Sequence, residues 1–358
     1  MKIGILTHHY VANYGAFLQA YCLWKTLSEL FPNDDVRVID YINRKHMFIN
    51  ACGYLRFHPS RESVAAWFDK TRMPGIFAKA RKENLRLTKR VFSASELNAL
   101  GLDAVVVGSD EVWNYRDPKS YTDVKFGCGI GEQLKLVSYA ASVGGIRTFD
   151  DLPTGVAQGL KRYSALSVRD DNTEAFVHTV VGRTPARVID PVFLHALPDG
   201  LTPRVQALTA APYILFYHCA PLPESARADI AAYAREKGLR LLGAGEYNTL
   251  YDQRSIDLTP FEWAEMFRQA QYVITGTFHG AVFSIVNRRP LSVCPNNPIR
   301  AEKLRSLLDE FGLASRMVAP ESFRLRDAAD QAIDYAAISA CVAQKAQASK
   351  AYLTQALQ

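Results

Sequence analysis

The sequence predicts an α/β protein built as two consecutive α/β halves, and three observations carry that reading. Short apolar runs of the kind buried in parallel sheets alternate with amphipathic helical stretches along most of the 358 residues. Pro191, Pro198, Pro203 and Pro212 gather around residues 197–212 and mark a linker. In both halves strands hand over to helices through small polar turns, the arrangement by which open α/β sheets present ligand sites.

Taken in order, residues 3–7 read as a buried parallel strand and residues 8–15 as a polar, aromatic loop. Phe17, Tyr21, Trp24 and Leu27 make an apolar stripe at three- and four-residue spacing, so residues 16–30 are a helix. Residues 35–41 form the second strand and complete a right-handed βαβ opening. Residues 44–100 are basic and broken by Pro59 and Pro74, with helical patches at 62–69 and 75–90. They read as one helical insertion, either a lid or a solvated excursion. Alternation resumes with strands at 103–110, 136–141, 165–169 and 187–190 and a helix at 151–162; Asp170 or Asp171 caps the helix that follows Arg169. The second half has strands at 213–218, 240–243, 272–275 and 291–294, and helices at 224–237, 260–269, 280–287 and 300–311. A long Ala-rich helix at 331–357 closes the chain. The domains expected are therefore 1–197, with the insertion at 44–100, then 212–330, and then a terminal helix at 331–358.

Composition excludes several classes. A hydrophobic content of 48% and a mean hydropathy of −0.08 describe an ordinary globular protein. The net charge of +6 is mild, whereas nucleic-acid binders more often show a concentrated basic face, so the expectation is a modest preference for anionic ligands or surfaces and no nucleic acid. Six cysteines are scattered without a Cys-x-x-Cys pair, which favours reduced thiols over disulfides or zinc. The first strand is too short for a signal-peptide core, and no apolar run reaches the roughly 18 residues of a membrane span. A cytoplasmic protein without a metal is expected. Peripheral contact with an anionic membrane face is a further expectation, carried by Arg44, Lys45, Arg56 and the basic run at 79–82.

Residues 271–284 carry the strongest functional signal. An apolar strand meets the turn Thr275-Gly-Thr277, then Phe278-His279-Gly280, then an apolar helix. Free N–H groups at such a helix start welcome an anion, and a histidine there titrates near neutral pH. His279 is the candidate general acid or base, against a role as a core histidine bonded to a nearby carbonyl. Arg169, at a strand end, is an anion clamp or an ion pair with Asp170 or Asp171. Arg300 and Lys303 stand three residues apart on one helical face, to hold a phosphate or carboxylate or to face solvent. In the first half, Asn13, Tyr14 and Gly15 mark the first strand-to-helix handover, and Gln19 follows one turn later; ligand contact competes with capping and loop support. Asp110 ends a strand where a carboxylate can orient or deprotonate a hydroxyl. Trp113 stacks on a sugar or braces its loop, Asn114 follows it, and Ser142 and Gly144 end the next strand. His8, His9 and His218 are strand-end histidines without partners at metal spacing.

Seven stretches in family-like register resemble the polysaccharide pyruvyl transferase family: residues 13–21, 107–114, 138–144, 167–171, 190–193, 260–263 and 273–280. The resemblance implies two Rossmann-like domains facing across a cleft, like the B-type glycosyltransferases. It implies transfer of the pyruvyl group of phosphoenolpyruvate to two hydroxyls of a sugar, in a glycan or a lipid-linked saccharide. The product is a pyruvate ketal and phosphate, with no cofactor. Set in that reaction, the candidates are His279 and Asp110 for catalysis, Arg169, Thr277 (through hydroxyl or backbone only), Phe278, Gly280, Arg300 and Lys303 for the donor, and Asn13, Tyr14, Gly15, Gln19, Trp113, Asn114 and Ser142 for the acceptor. The sequence departs from the family pattern at Gly276, where an acidic residue is usual, and at Thr277, where many members carry Arg and others Ser. Two other readings stand beside it. One is a glycosyltransferase using a nucleotide sugar, with Glu246 on the ribose; the other is a non-catalytic glycan-binding relative.

Overall fold

Parallel strands need partners along both edges and cover on both faces, and the chain meets that demand in two separate units. The structure, a computed structural model, describes residues 1–295 and 297–358, the side chains of 298–300 excepted. The first unit comprises residues 1–53, 77–196 and 342–358, and the second residues 54–76 and 197–341.

The first unit holds six parallel strands: β1 (Lys2–Leu6), β2 (Asp35–Val38), β3 (Ala104–Asp110), β4 (Lys135–Ala141), β5 (Ser167–Val168) and β6 (Ala186–Arg187). Their order is β2-β1-β3-β4-β5-β6. From β1 the chain first builds β2 on one side and only later β3 on the other. Successive connections therefore diverge at the β1/β3 boundary, which makes it the topological switch point where open α/β sheets bind ligands. Ile3, Ile5, Val105 and Val107 are fully buried, as strands covered on both faces require. Helix α1 (Tyr14–Leu30) starts where Asn13 accepts a hydrogen bond from the Ala16 N–H, and it buries Phe17, Leu23 and Leu27.

The segment 44–100 is not the single insertion expected. It contains α2 (Arg44–Leu55), α3 (Val64–Thr71), α4 (Met73–Asn84) and α5 (Ala94–Asn98). Residues 54–76 belong to the second unit, where Asp257 receives Arg72 at 3.0 Å and Asp69 receives Arg254 at 3.0 Å. The remainder belongs to the first unit. There Phe77 is fully buried against Tyr14, and Leu87 and Val91 extend the β2 edge by bridging to Val38 and Tyr41. Helices α6 (Val156–Lys161) and α7 (Asp171–Val181) complete this unit's interior connections, with Asp170 capping α7 through the Thr173 N–H.

The second unit has four parallel strands, β7 (Tyr213–Tyr217), β8 (Arg240–Gly243), β9 (Tyr272–Thr275) and β10 (Leu291–Val293), in the order β10-β9-β7-β8. Its switch point lies between β7 and β9. The helices are α8 (Pro203–Leu208), α9 (Glu224–Lys237), α10 (Pro260–Gln269), α11 (Phe278–Val286), α12 (Pro298–Glu310) and α13 (Leu325–Ala329). Helix α8 lies inside the stretch expected as linker. Pro203 takes its first helical position, where proline loses no hydrogen bond, and Thr202 caps it. The last helix, α14 (Tyr335–Leu357), starts four residues later than expected, and the boundary between the units falls within it, after Cys341. In the first unit Ser349 Oγ accepts from the Ile189 N–H at 3.2 Å and Tyr352 donates to the Ser138 carbonyl at 2.9 Å.

One glycine is indispensable to the end of β3. Gly108 has φ +124°, and a Cβ there would stand 2.1 Å from the Tyr139 carbonyl oxygen. Gly108→Ala combines a backbone conformation foreign to L-residues with overpacking against main chain. It should lower unfolding free energy by about 3 kcal/mol or more; urea denaturation measures this directly.

Candidate functional site

At the first unit's switch point, the residues after β1 and after β3 meet. Thr7 donates to the Ser109 carbonyl at 3.0 Å, and Gln19 donates to Thr7 Oγ1 and the Ala16 carbonyl, both at 2.9 Å. His8 and His9 diverge. His9 Nε2 lies 3.1 Å from Asp40, whose other oxygen receives Arg90 at 2.8 Å. His8 Nδ1 lies 2.9 Å from the Nζ of Lys125, and its Nε2 lies 3.4 Å from the Glu111 carbonyl oxygen. Beside them the Tyr10 hydroxyl meets His46 Nδ1 at 3.2 Å.

Lys125 is fully buried, which is rare for a lysine. Its backbone is clamped, because its carbonyl accepts from the Trp113 indole at 2.8 Å and the Tyr163 hydroxyl at 2.7 Å. Burial, opposed by the charge of Asp110, pushes its ammonium down to about 7. Burial and then the neighbouring Lys125 charge hold His8 well below the ordinary imidazole value. Burial followed by Lys125 brings His46 down to about 4. Burial also lowers His9 despite the Asp40 carboxylate.

Arg169 and the end of β3 form a second network. Arg169 is 5% exposed and donates to Asp190 at 2.7 Å, Asp110 at 3.1 Å and Ser109 Oγ at 3.3 Å. Asp110 has φ +79° and its carboxylate keeps 19% of its surface exposed. Asn114 donates to the Glu111 carboxylate at 3.3 Å, and Ser142 Oγ accepts from the Gly144 N–H at 3.0 Å.

In the second unit, β9 ends at Thr275, whose hydroxyl donates to the Tyr217 carbonyl at 2.8 Å. Thr277 caps α11, its Oγ1 accepting from the Gly280 N–H at 3.0 Å. His279 follows in the first turn, half-buried, its ring edge-on to Phe278 at 5.5 Å between centroids. Lys303, on α12, places its Nζ 5.9 Å from the centre of the Phe278 ring. Across the switch point, at the end of β7, His218 donates through its backbone N–H to the Glu246 carboxylate at 2.7 Å. Its Nδ1 lies 2.9 Å from the same oxygen. The other Glu246 oxygen accepts from Tyr251. Burial raises the Glu246 carboxyl, but these bonds outweigh it and hold the group below its usual range.

Comparison with known proteins decides the family. The sequence model of the polysaccharide pyruvyl transferase family matches residues 13–298. The chain belongs to the polysaccharide pyruvyl transferase family. No curated protein sequence matches it. Among solved structures, UGT89C1 of Arabidopsis thaliana is similar over 99% of this chain and 98% of its own, at 12% identity and TM-score 0.51. The UDP-GlcNAc 2-epimerase of Methanocaldococcus jannaschii is similar over 93% of each chain, at 12% identity and TM-score 0.52. A putative UDP-N-acetylglucosamine 2-epimerase of Listeria monocytogenes is similar over 97% of this chain and 90% of its own, at 13% identity and TM-score 0.50. At these identities the likeness establishes the fold: this pyruvyl transferase family member has two Rossmann-like domains of the B-type glycosyltransferase kind.

The expected residues sort into two groups. Thr277, Phe278, His279, Gly280 and Lys303 gather at the start of α11. The Thr277 hydroxyl is spent on the Gly280 N–H, so that N–H is not open to an anion as expected. The Arg300 side chain lies outside the described residues. Arg169, in the first unit, is ion-paired with Asp190 and Asp110, and the charge of Asp170 adds to theirs. Asp110, Asn114 and Ser142 gather at the first unit's strand ends, with exposed Asn13 capping α1. Tyr14 and Gln19 are buried, Gln19 as internal support of the loop. Gly15 is buried as well. Trp113 is fully buried among Phe126, Tyr163 and Phe176, so it braces its loop and cannot stack on a sugar. Lys125 and His46 escaped the sequence reading, while Glu111 and Asp190 fell inside the family-like stretches 107–114 and 190–193 without being given a role. The adjacent His8-His9 pair was the visible signal, but nothing local marks Lys125 as buried.

Position 276 has room only for glycine. A Cβ there would stand 2.5 Å from the Cys294 carbonyl oxygen and 2.6 Å from that of His218. The strand ends on either side leave no room for an acidic side chain.

Two stability predictions follow from these networks. Arg169→Ala strips a buried guanidinium from Asp190, and breaking such a pair costs about 3–5 kcal/mol; denaturant unfolding should register this loss. Lys125 titrates near 7 when folded against 10.5 ordinarily. Between those values the unfolded chain binds the extra proton, so stability should rise with pH across that window, by up to about 1.4 kcal/mol per unit for this one group. Lys125→Met should flatten the rise in unfolding free energy measured at successive pH values. His8, His9 and His46 act in the same sense below 6.5. Stability should therefore fall as acid takes the pH below that value in both proteins.

Proposed function

We propose that this protein is a ketal-forming pyruvyl transferase using phosphoenolpyruvate as donor and a sugar with two suitably spaced hydroxyls as acceptor, in a glycan or a lipid-linked saccharide. The observation that supports this reading is the His279 turn of a pyruvyl transferase family member, set at a switch point with Lys303 beside Phe278. Phosphoenolpyruvate brings a phosphate and a carboxylate. The first turn of α11 offers the positive end of a helix dipole, and Lys303 a cation.

In this reading His279 protonates the methylene carbon of the enol, and the double bond becomes an oxocarbenium-like centre. The first sugar hydroxyl adds its oxygen to the oxocarbenium carbon, the one that bears the phosphate oxygen, and gives up its proton. The second hydroxyl then displaces phosphate, forming the second C–O bond and closing the ketal. One hydroxyl proton restores the acid and the other leaves with phosphate, so protons balance. Histidine suits the first step because its ordinary pKa lies near neutrality. In the first unit Asp110, with 19% of its side chain exposed at the end of β3, is the carboxylate suited to holding a sugar hydroxyl.

The nucleotide-sugar alternative needs Glu246 to hold ribose hydroxyls. That carboxylate is already engaged by His218 and Tyr251, which favours the pyruvyl reading.

Phosphate release from phosphoenolpyruvate with a panel of hexoses and hexosamines, followed by NMR detection of a ketal methyl group, tests the proposal. His279→Ala should lower the rate by about 10²–10⁴-fold, the usual range for a general acid or base, with unchanged circular dichroism. Absence of phosphate release and ketal across the panel would sink the reading, and a near-normal His279→Ala rate would remove that residue from it.

A further inference from the structure

Among the described residues eleven large apolar side chains are exposed, and seven of them lie between residues 47 and 68. Scattered exposed apolar residues need no explanation, but a contiguous patch does. In the second unit four of the seven gather around Trp67, which is itself half-buried. The Trp67 indole donates to the Leu55 carbonyl at 2.9 Å. Its ring meets Phe57 at 5.6 Å and Phe68 at 4.9 Å between centroids. Val64 lies four residues before Phe68 on α3 and shares its face. Leu55, Val64 and Phe68 are each more than half exposed. Helix α2, which leads into this patch, buries none of its residues. Phe48, seven residues before Leu55, lies on the same face of that helix.

The charges around the patch decide what it fits. No acidic residue stands between Asp40 and Glu62, while Arg44, Lys45, Arg56 and Arg61 all fall in that stretch. These four are exposed, and among the described residues none of them has an ion pair. The carboxylates that follow are neutralised from within: Glu62 binds Lys70 at 2.6 Å, and Asp69 binds Arg254 at 3.0 Å and Arg72 at 3.4 Å. Bare cations interleaved with aromatic and aliphatic side chains complement a surface that is anionic outside and apolar beneath, which is a bilayer of acidic lipids. Tryptophan is also the side chain that favours the headgroup boundary. The basic run at 79–82 takes no part. Arg81 donates to the Tyr10 carbonyl at 3.0 Å, and Lys79 lies 3.9 Å from Glu83.

We propose that residues 55–68 of the second unit, entered through α2, dock on the surface of an anionic membrane. Leu55, Phe57, Val64 and Phe68 enter the boundary between headgroups and acyl chains, and Arg56 and Arg61 meet lipid phosphates. The segment lies on the bilayer rather than through it, since among the described residues no helix is long and apolar enough to cross a membrane. This goes beyond the pyruvyl transferase reading and does not rest on it, because the patch fits a lipid surface whatever reaction follows.

Vesicle flotation of the full chain tests this without substrate, so failure leaves the pyruvyl reading untouched. The protein should float with vesicles of phosphatidylcholine and phosphatidylglycerol in equal amounts, and not with phosphatidylcholine alone. Raising salt from about 0.1 M to about 1 M should weaken the binding. Val64→Glu combined with Phe68→Glu, and separately Arg56→Gln combined with Arg61→Gln, should each lower the partition coefficient at least about tenfold. Circular dichroism should stay unchanged, because all four side chains are exposed. Brominated acyl chains should quench the tryptophan fluorescence of the wild type, and Trp67→Phe should remove most of that quenching. No flotation with the mixed vesicles, or flotation that neither double variant reduces, overturns the proposal. A wild type that does not float but sediments as a dimer, with Val64→Glu and Phe68→Glu restoring the monomer, would assign the patch to a second copy of the chain instead.

Discussion

A guanidinium taken out of water sets the carboxyl edge of the first unit. Desolvating a charge of that size costs several kcal/mol, and only well-placed partners offset it. Arg169 finds them at Asp190, Asp110 and Ser109, which tie together the chain just after β5, the approach to the turn after β6, and the end of β3. The consequences run outward from there. Asp110 is held at φ +79°, and the chain turns sharply enough for the Trp113 N–H to reach the Ser142 carbonyl at 3.0 Å. The Trp113 indole then fixes the Lys125 carbonyl, and Lys125 meets His8. The titratable side chains of this edge are therefore held in place by the ion network around Arg169.

What could be read from the sequence divides along the range of the forces involved. Strands such as β1, β3, β7 and β9 were legible because a strand covered on both faces is apolar throughout, and that pattern is local. The turn at His279 was legible because its small residues and its histidine are consecutive. Arg169 was recognised as important, but its ion-pair partners were not. Asp190, its closest partner, is 21 residues away, and only the sheet order brings them together. Lys125 stayed hidden for the same reason, since its burial and its distance from His8 come from pairing β1 with β3. Trp113 illustrates the opposite case: its surroundings are entirely core, although its position beside Asp110 suggested a binding surface. The segment 44–100 read as one insertion because basic composition looks uniform, whereas the ion pairs of Asp69 and Asp257 assign its middle to the second unit.

Within the second unit the turn before α11 has no side chain at position 276, and packing explains why. Carbonyls of Cys294 and His218 close on Gly276 from the ends of neighbouring strands. Thr277 next to it uses its hydroxyl to cap α11, a task a serine performs equally and an arginine does not. The turn thus presents His279 without a charged side chain at position 276 or 277. From α12, Lys303 leans toward the Phe278 ring.

The route of the chain also has a consequence for the order in which the molecule is made. The first unit draws on three separated stretches, the last of them residues 342–358. Ser349 and Tyr352 satisfy main-chain groups near β6 and in β4, and Leu353 and Leu357 are fully buried. On the ribosome, strands β1 to β6 emerge long before the helix that seals them, while residues 197–341 of the second unit are finished earlier. The first half of the sequence must therefore wait for the final helix, with its apolar face uncovered in the meantime. Contacts of such large sequence separation are slow to form, which makes this unit the one exposed to chaperones and to misassembly during synthesis.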